Sequence, residues 1–225
     1  MFKLALNAGH GVNTAGKRCL KSIDQNETRE WVLNNRICCK IEQILSRYEG
    51  IEVRRMDDTT GQVDRTVATR AKNANSFGAN LYLSIHHNAG INGGNGGGIM
   101  AYTYLNVDET TINWQKEFYN AAINATGLKG NRASPLSKSD LGECRMTTMP
   151  AILMECGFMD STVDTPIILT EQFADKISFA LAQVIIEKGQ LVIKDSLKTN
   201  SNDTDNEKTN IIIKLLNKII SILLK

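Results

Sequence analysis

Leu81-Tyr-Leu-Ser-Ile-His-His-Asn-Ala89 decides the reading of this chain. It is an apolar, β-forming run that stops at two histidines and an asparagine, directly ahead of a loop, Gly90–Gly98, with six glycines in nine residues. The chain has three histidines, and the third, His10, follows another apolar run, Leu4-Ala-Leu-Asn-Ala8, between Gly9 and Gly11. Two strands that each end in an imidazole point to a metal at the carboxyl edge of a sheet, where open α/β folds place their chemistry. Two ligands do not complete a site, so the remaining donors must come from other segments.

Working outward, short apolar runs alternate with segments of helical period. Residues 3–8 read as a buried strand stopped by Gly9, and 12–26 as a loop over the site. A helix is expected from near Asn26, with Asp24 and Asn26 as N-cap candidates, to about Tyr48, burying Ile37, Ile41, Ile44 and Leu45. Ile51–Arg55 reads as a strand, and Asp64–Ser76 as a helix with Val67, Ala71 and Ala74 inward. After the glycine-rich loop come a strand over Ile99–Tyr104, a helix over Thr111–Thr126 and a polar, irregular stretch over 127–148. A buried strand then runs from Met149 to Glu155. The helix Glu171–Lys188 follows, carrying Phe173, Ile177, Leu181, Val184 and Ile185 on one stripe. This alternation predicts a single α/β domain over 1–193, a twisted, largely parallel mixed sheet flanked by helices.

The chain of 225 residues is 42% apolar, enough for a sizeable core. Its net charge is +2, and the excess lies beyond residue 193, where six lysines face four acids and leave 20 basic against 20 acidic residues upstream. That balance gives no support for a nucleic-acid partner. Five cysteines, an odd number without a C-x-x-C pair, read as reduced thiols, with Cys38 and Cys39 as small core residues. The amino terminus passes straight into the first strand without the charge order of a signal peptide, so synthesis in the cytoplasm is expected. Residues 194–210 read as a polar linker. In 211–225, Lys214, Asn217, Lys218, Ser221 and Lys225 form one polar stripe in an otherwise Ile/Leu segment. This predicts a short amphipathic C-terminal helix, below the roughly 20 residues that span a bilayer, that self-associates or docks on a membrane or envelope.

His10, His86 and one carboxylate would make a three-ligand zinc site with an open fourth position for water. The helix beginning near Asn26 offers Glu27 and Glu30; Glu30 lies seven, eleven and fourteen residues before Ile37, Ile41 and Ile44 and shares their face. Glu155 ends an apolar strand just before Cys156-Gly-Phe158 and is expected at the same sheet edge, placed to act as general base and then as proton donor.

These residues carry a resemblance. Ala8-Gly-His-Gly11, Thr28-Arg-Glu30 before an Ile-rich helix, Arg70 with Ala74-Asn75, Ser84-Ile-His-His-Asn-Ala89, and Met149-Pro-Ala-Ile-Leu-Met-Glu-Cys-Gly-Phe158 occur in one order over about residues 3–188. Together they resemble the zinc-dependent N-acetylmuramoyl-L-alanine amidases of bacterial autolysins and phage endolysins. The resemblance implies His10, Glu30 and His86 as ligands of one catalytic zinc ion, with Glu30 preferred over Glu27, and Glu155 as the catalytic glutamate. It implies a bacteriolytic hydrolase of peptidoglycan that cuts between N-acetylmuramic acid and the L-alanine of the stem peptide. Without a signal peptide, an endolysin of phage or prophage origin released through a holin fits this expectation. His87 is expected to point to the other face, and Arg55 with Asp57 to be structural. Asn131-Arg-Ala133 and Asp160-Ser161 depart from the family's Asn-Arg-Gly and its Asn after Gly-Phe, which bears on loop geometry and substrate preference. The alternatives are a zinc peptidoglycan peptidase and a non-catalytic wall-binding protein.

Overall fold

A computed structural model of the chain describes residues 1–194. The expected linker beyond Lys194 and the helix of 211–225 lie outside the described residues. The first half holds β1 (Phe2–Ala8), α1 (Glu30–Leu45), β2 (Tyr48–Glu49), β3 (Ile51–Arg55), α2 (Val67–Phe77), β4 (Leu81–Asn88) and β5 (Ile99–Thr103). The second holds α3 (Glu109–Thr126), β6 (Leu136–Lys138), α4 (Gly142–Arg145), β7 (Ala151–Phe158), α5 (Asp164–Ile168), α6 (Glu171–Gly189) and β8 (Val192–Ile193).

Six strands form one sheet in the order β3-β1-β4-β7-β5-β6, and β2 pairs with β8 apart from it. Every neighbour pair in the large sheet is parallel except β5 with β7. β1, β4 and β7 are central and covered on both faces, which is why they read as continuous apolar runs. Side chains alternate between the faces. Leu4, Leu6, Leu81, Leu83, Ile152 and Met154 enter the larger core with residues of α1, α3 and α6. Ala5, Tyr82 and Leu153 enter a smaller one with Ala74 and Phe77 of α2 and Cys144 of α4. Because β1, β4 and β7 run parallel, their carboxyl ends lie at one edge of the sheet.

Four expectations need correction. The helix expected from Asn26 begins at Glu30, after an Arg29 N-cap without a side-chain cap bond. Asp24 instead accepts from the backbone N–H groups of Asn26 and Thr28, and Glu27 takes a left-handed φ of 48°; a side chain that closes a local turn competes with helix. Val67, expected inward, is exposed because α2 starts there, capped by Thr66; Arg70, Ala71, Ala74 and Phe77 form the buried stripe instead. The 127–148 stretch contains β6 and α4, elements too short to show a period. Cys39 is exposed although Cys38 is buried, as adjacent helical positions point in different directions.

Candidate metal centre

Gly9 and His10 leave β1 at its carboxyl end. The Gly9 N–H donates to the Ile85 carbonyl of β4 at 2.9 Å. A Cβ at Gly9 would collide with the imidazole of His86, so only glycine lets that ring lie against the strand end. His10 sits at φ 65°, a region costly for non-glycine residues that persists where its surroundings enforce it. Arg70 Nη2 donates to the His10 carbonyl at 3.0 Å.

The two histidines converge on Glu30, in the first turn of α1. His86 Nδ1 lies 3.1 Å and His10 Nε2 3.4 Å from Glu30 Oε1. The imidazole rings meet edge to face at 5.0 Å between centroids. One ligand atom from each of His10, Glu30 and His86 lies within 4.8 Å of the others, the set of donors that zinc accepts. Glu30 Oε2 is buried without a hydrogen-bond partner, its nearest cation being Lys17 at 3.6 Å. A buried orphan oxygen beside two imidazoles is what a cation would satisfy, so the residues fit the metal.

The electrostatics agree. Burial pushes the Glu30 carboxyl up, but His86, His10 and Lys17 outweigh it and bring it to about 2, so it is a carboxylate. Burial brings His10 down to about 4, leaving a neutral imidazole. Burial opposes charge on His86 as well, but the carboxylates of Glu143 and Glu30 raise it to about 10, so a cation at Nδ1 would take the place of a proton.

Glu155 is the register partner of His86 in the parallel β4–β7 pair and therefore shares its face of the sheet. It is partly exposed, yet its Oε2 is buried and without a partner. Burial raises its pKa to about 7 against the pull of His86 and Lys17. A carboxyl poised near neutrality, lacking a fixed donor and open to the surface, is suited to exchanging protons.

Glu27 is held away from this centre, paired with Arg18 at 3.1 Å and Lys21 at 4.0 Å. His87 faces α1, its Nδ1 2.8 Å from Asn34 Oδ1, while Asn34 Nδ2 donates to the Gly9 carbonyl at 3.1 Å. Arg55 grips Asp57 with two bonds of 2.8 and 2.6 Å at the end of β3, and Asp57 Oδ1 accepts from the Ala8 N–H. Asp160 accepts from three successive N–H groups, Gly90, Ile91 and Asn92, and so pins the start of the glycine-rich loop. The loop's end, Gly97 and Gly98, packs so closely on Gly130 that a Cβ there would strike the Gly97 carbonyl. A cavity of about 410 Å³ opens beside His10, His86, Arg70 and Glu143. A second, of about 450 Å³, lies by Met100, the β5 partner of Glu155, and Arg132.

Sequence reasoning missed Glu143, a buried carboxylate whose Oε2 lies 3.8 Å from His86 Nε2. The available signal was indirect: Asn7 and Ser84, polar residues inside two central apolar strands, both bond to it.

The fold is an α/β domain that carries a histidine–carboxylate cluster able to hold a metal ion at the carboxyl edge of its parallel strands. The family model for N-acetylmuramoyl-L-alanine amidase matches residues 4–187, and the chain belongs to that family. It is 29% identical over 184 residues to the sporulation-specific N-acetylmuramoyl-L-alanine amidase of Bacillus subtilis (strain 168), covering 79% of this chain and 64% of that one. To the endolysin of Bacillus phage SPP1 it is 30% identical over 190 residues, covering 83% and 66%. This chain thus spans somewhat under two thirds of those relatives. In fold it is similar to an N-acetylmuramoyl-L-alanine amidase from Clostridium difficile 630, with a TM-score of 0.73, 24% identity and coverage of 83% and 95%.

Proposed function

We propose that this chain is a zinc-dependent hydrolase of peptidoglycan that cuts the amide between the lactyl group of N-acetylmuramic acid and the L-alanine of the stem peptide. The observation that carries the reading is the convergence of His10, Glu30 and His86 with a proton-exchanging carboxyl, Glu155, on the same face of the sheet. Family membership supplies the bond.

His10, Glu30 and His86 would hold the ion, which when bound supplies Lewis-acid polarisation of the scissile carbonyl and lowers the pKa of a water towards about 7. Glu155 takes a proton from the attacking water as the C–O bond forms. It delivers that proton to the alanine nitrogen as the C–N bond breaks, which leaves the muramyl carboxylate and a free amine. The cavity lined by His10 and His86, and the one lined by Met100 and Arg132, would give the glycan and peptide arms room near the reacting carbonyl.

Likeness to the SPP1 endolysin supports a lytic role, with a phage or prophage endolysin as the finer reading and access to the wall through a holin. Residues 1–193 would be the catalytic unit; a chain ending after Lys194, beyond β8, is expected to keep its fold and its zinc.

The test is the chemistry of the ends released from purified peptidoglycan. New alanine amino termini without new reducing sugars, lost in Glu155→Gln, are expected. Termini from within the stem peptide would reassign the enzyme as a peptidase. No release, together with no bound zinc, would turn the reading to a wall-binding protein.

A further inference from the structure

Glu143 is buried in α4, the short helix just before β7, and five hydrogen bonds from three directions fix it. Its Oε2 accepts from Ser84 Oγ at 2.6 Å, Tyr82 OH at 3.2 Å and Asn7 Nδ2 at 3.3 Å. Its Oε1 accepts from Arg70 Nη1 at 3.3 Å and Asn7 Nδ2 at 3.4 Å. Stability alone is a poor reason for this arrangement, since a buried ion pair commonly stabilises no more than an apolar packing of the same volume.

The carboxylate faces the metal centre on one side. His86 Nε2 is buried, has no hydrogen-bond partner, and lies 3.8 Å from Glu143 Oε2. Nδ1, on the opposite edge of the same ring, lies 3.1 Å from Glu30 Oε1. The imidazole therefore stands between two carboxylates, one belonging to the ligand set and one outside it. A histidine that binds a cation through Nδ1 carries its remaining proton on Nε2, and a buried N–H needs an acceptor. Arg70, the counter-ion of Glu143, also holds the His10 carbonyl, so one buried pair reaches both histidines.

We propose that Glu143 is a positioning residue for the metal centre: its fixed carboxylate accepts the Nε2 proton of His86, selects that tautomer and holds Nδ1 towards Glu30 and His10. The proposal rests on the zinc reading above. It gives Glu143 no part in proton exchange with substrate, because its side-chain donors favour the charged carboxylate and it lies across the ring from Glu30. It also explains why Asn7 and Ser84 interrupt otherwise apolar strands: they orient the carboxylate that orients the histidine.

The test uses the full chain and zinc alone. Apparent zinc affinity is measured by chelator competition for wild type and Glu143→Gln, with circular dichroism and thermal midpoints of chelator-treated protein confirming that both are folded. Loss of an outer carboxylate partner is expected to weaken zinc binding roughly 10–100-fold. A folded Glu143→Gln that binds zinc within twofold of wild type overturns the proposal. A second measurement needs no variant. Nitrogen-15 spectra of the zinc-loaded wild-type histidine rings should show the retained proton of His86 on Nε2 and exchanging slowly, and a proton on Nδ1 instead would overturn it. Wild type that takes up no stoichiometric zinc overturns the underlying metal reading, an outcome distinct from a loaded wild type with an unaffected variant.

Discussion

Glu143 and Glu155 flank the same imidazole and behave in opposite ways. Glu143 is walled in by Ser84, Tyr82, Asn7 and Arg70. Burial pushes its carboxyl up, but His86, Arg70 and Ser84 outweigh this and bring it to about 2. Glu155 opens to the surface, has an oxygen with no partner, and is pushed up by burial to about 7. The difference lies in the donors supplied to each. A carboxylate held low by several donors stays charged and cannot exchange protons at neutral pH, and one without donors can. Two glutamates twelve positions apart in the chain thereby differ in protonation near neutral pH.

The comparison can be broken in four ways. Glu155→Gln should lower kcat by about 10²–10⁴-fold while zinc stoichiometry and thermal midpoint are kept; activity within tenfold of wild type would end the distinction. Glu143→Ala should cost about 3–5 kcal/mol in denaturant unfolding of chelator-treated protein, because it removes one of the two carboxylates paired with buried Arg70, leaving Asp64, and strips the acceptor from Ser84, Tyr82 and Asn7. Ser84→Ala removes one donor to that carboxylate, and about 1.5–3 kcal/mol is expected by the same measurement. A further effect falls on the pH dependence of stability. Glu155 has a folded pKa near 7 against an ordinary value of 4.5, so its contribution is full below 4.5 and lost as pH rises through 7. Chelator-treated wild type should therefore lose stability relative to Glu155→Gln over that window, and parallel curves would show that Glu155 does not titrate there.

The sequence by itself determined the fold class and much of what the edge of the sheet displays. β1, β4 and β7 were legible because strands covered on both faces are largely apolar, and His10, His86 and Glu155 break that run in or just after each strand's carboxyl end. The stripe on α6 and the glycines of 90–98 were legible for the same kind of local reason. Arg70 and Glu30 were visible as members of ordered motifs, although the residues alone left Glu27 and Glu30 open.

Tertiary structure decided what local pattern does not encode. Glu27 and Glu30 were separated by a left-handed turn at Glu27 and by ion pairs to Arg18 and Lys21. The start of α1 was set by Asp24 closing a turn, and β6 and α4 were too short to leave a period in the sequence. Glu143 was hidden most fully. Its four-residue helix carries no pattern, and its partners come from positions 7, 70, 82, 84 and 86, so only the folded sheet brings them together. A carboxylate's role depends on its burial and its donors. Burial and donors are properties of the assembled chain.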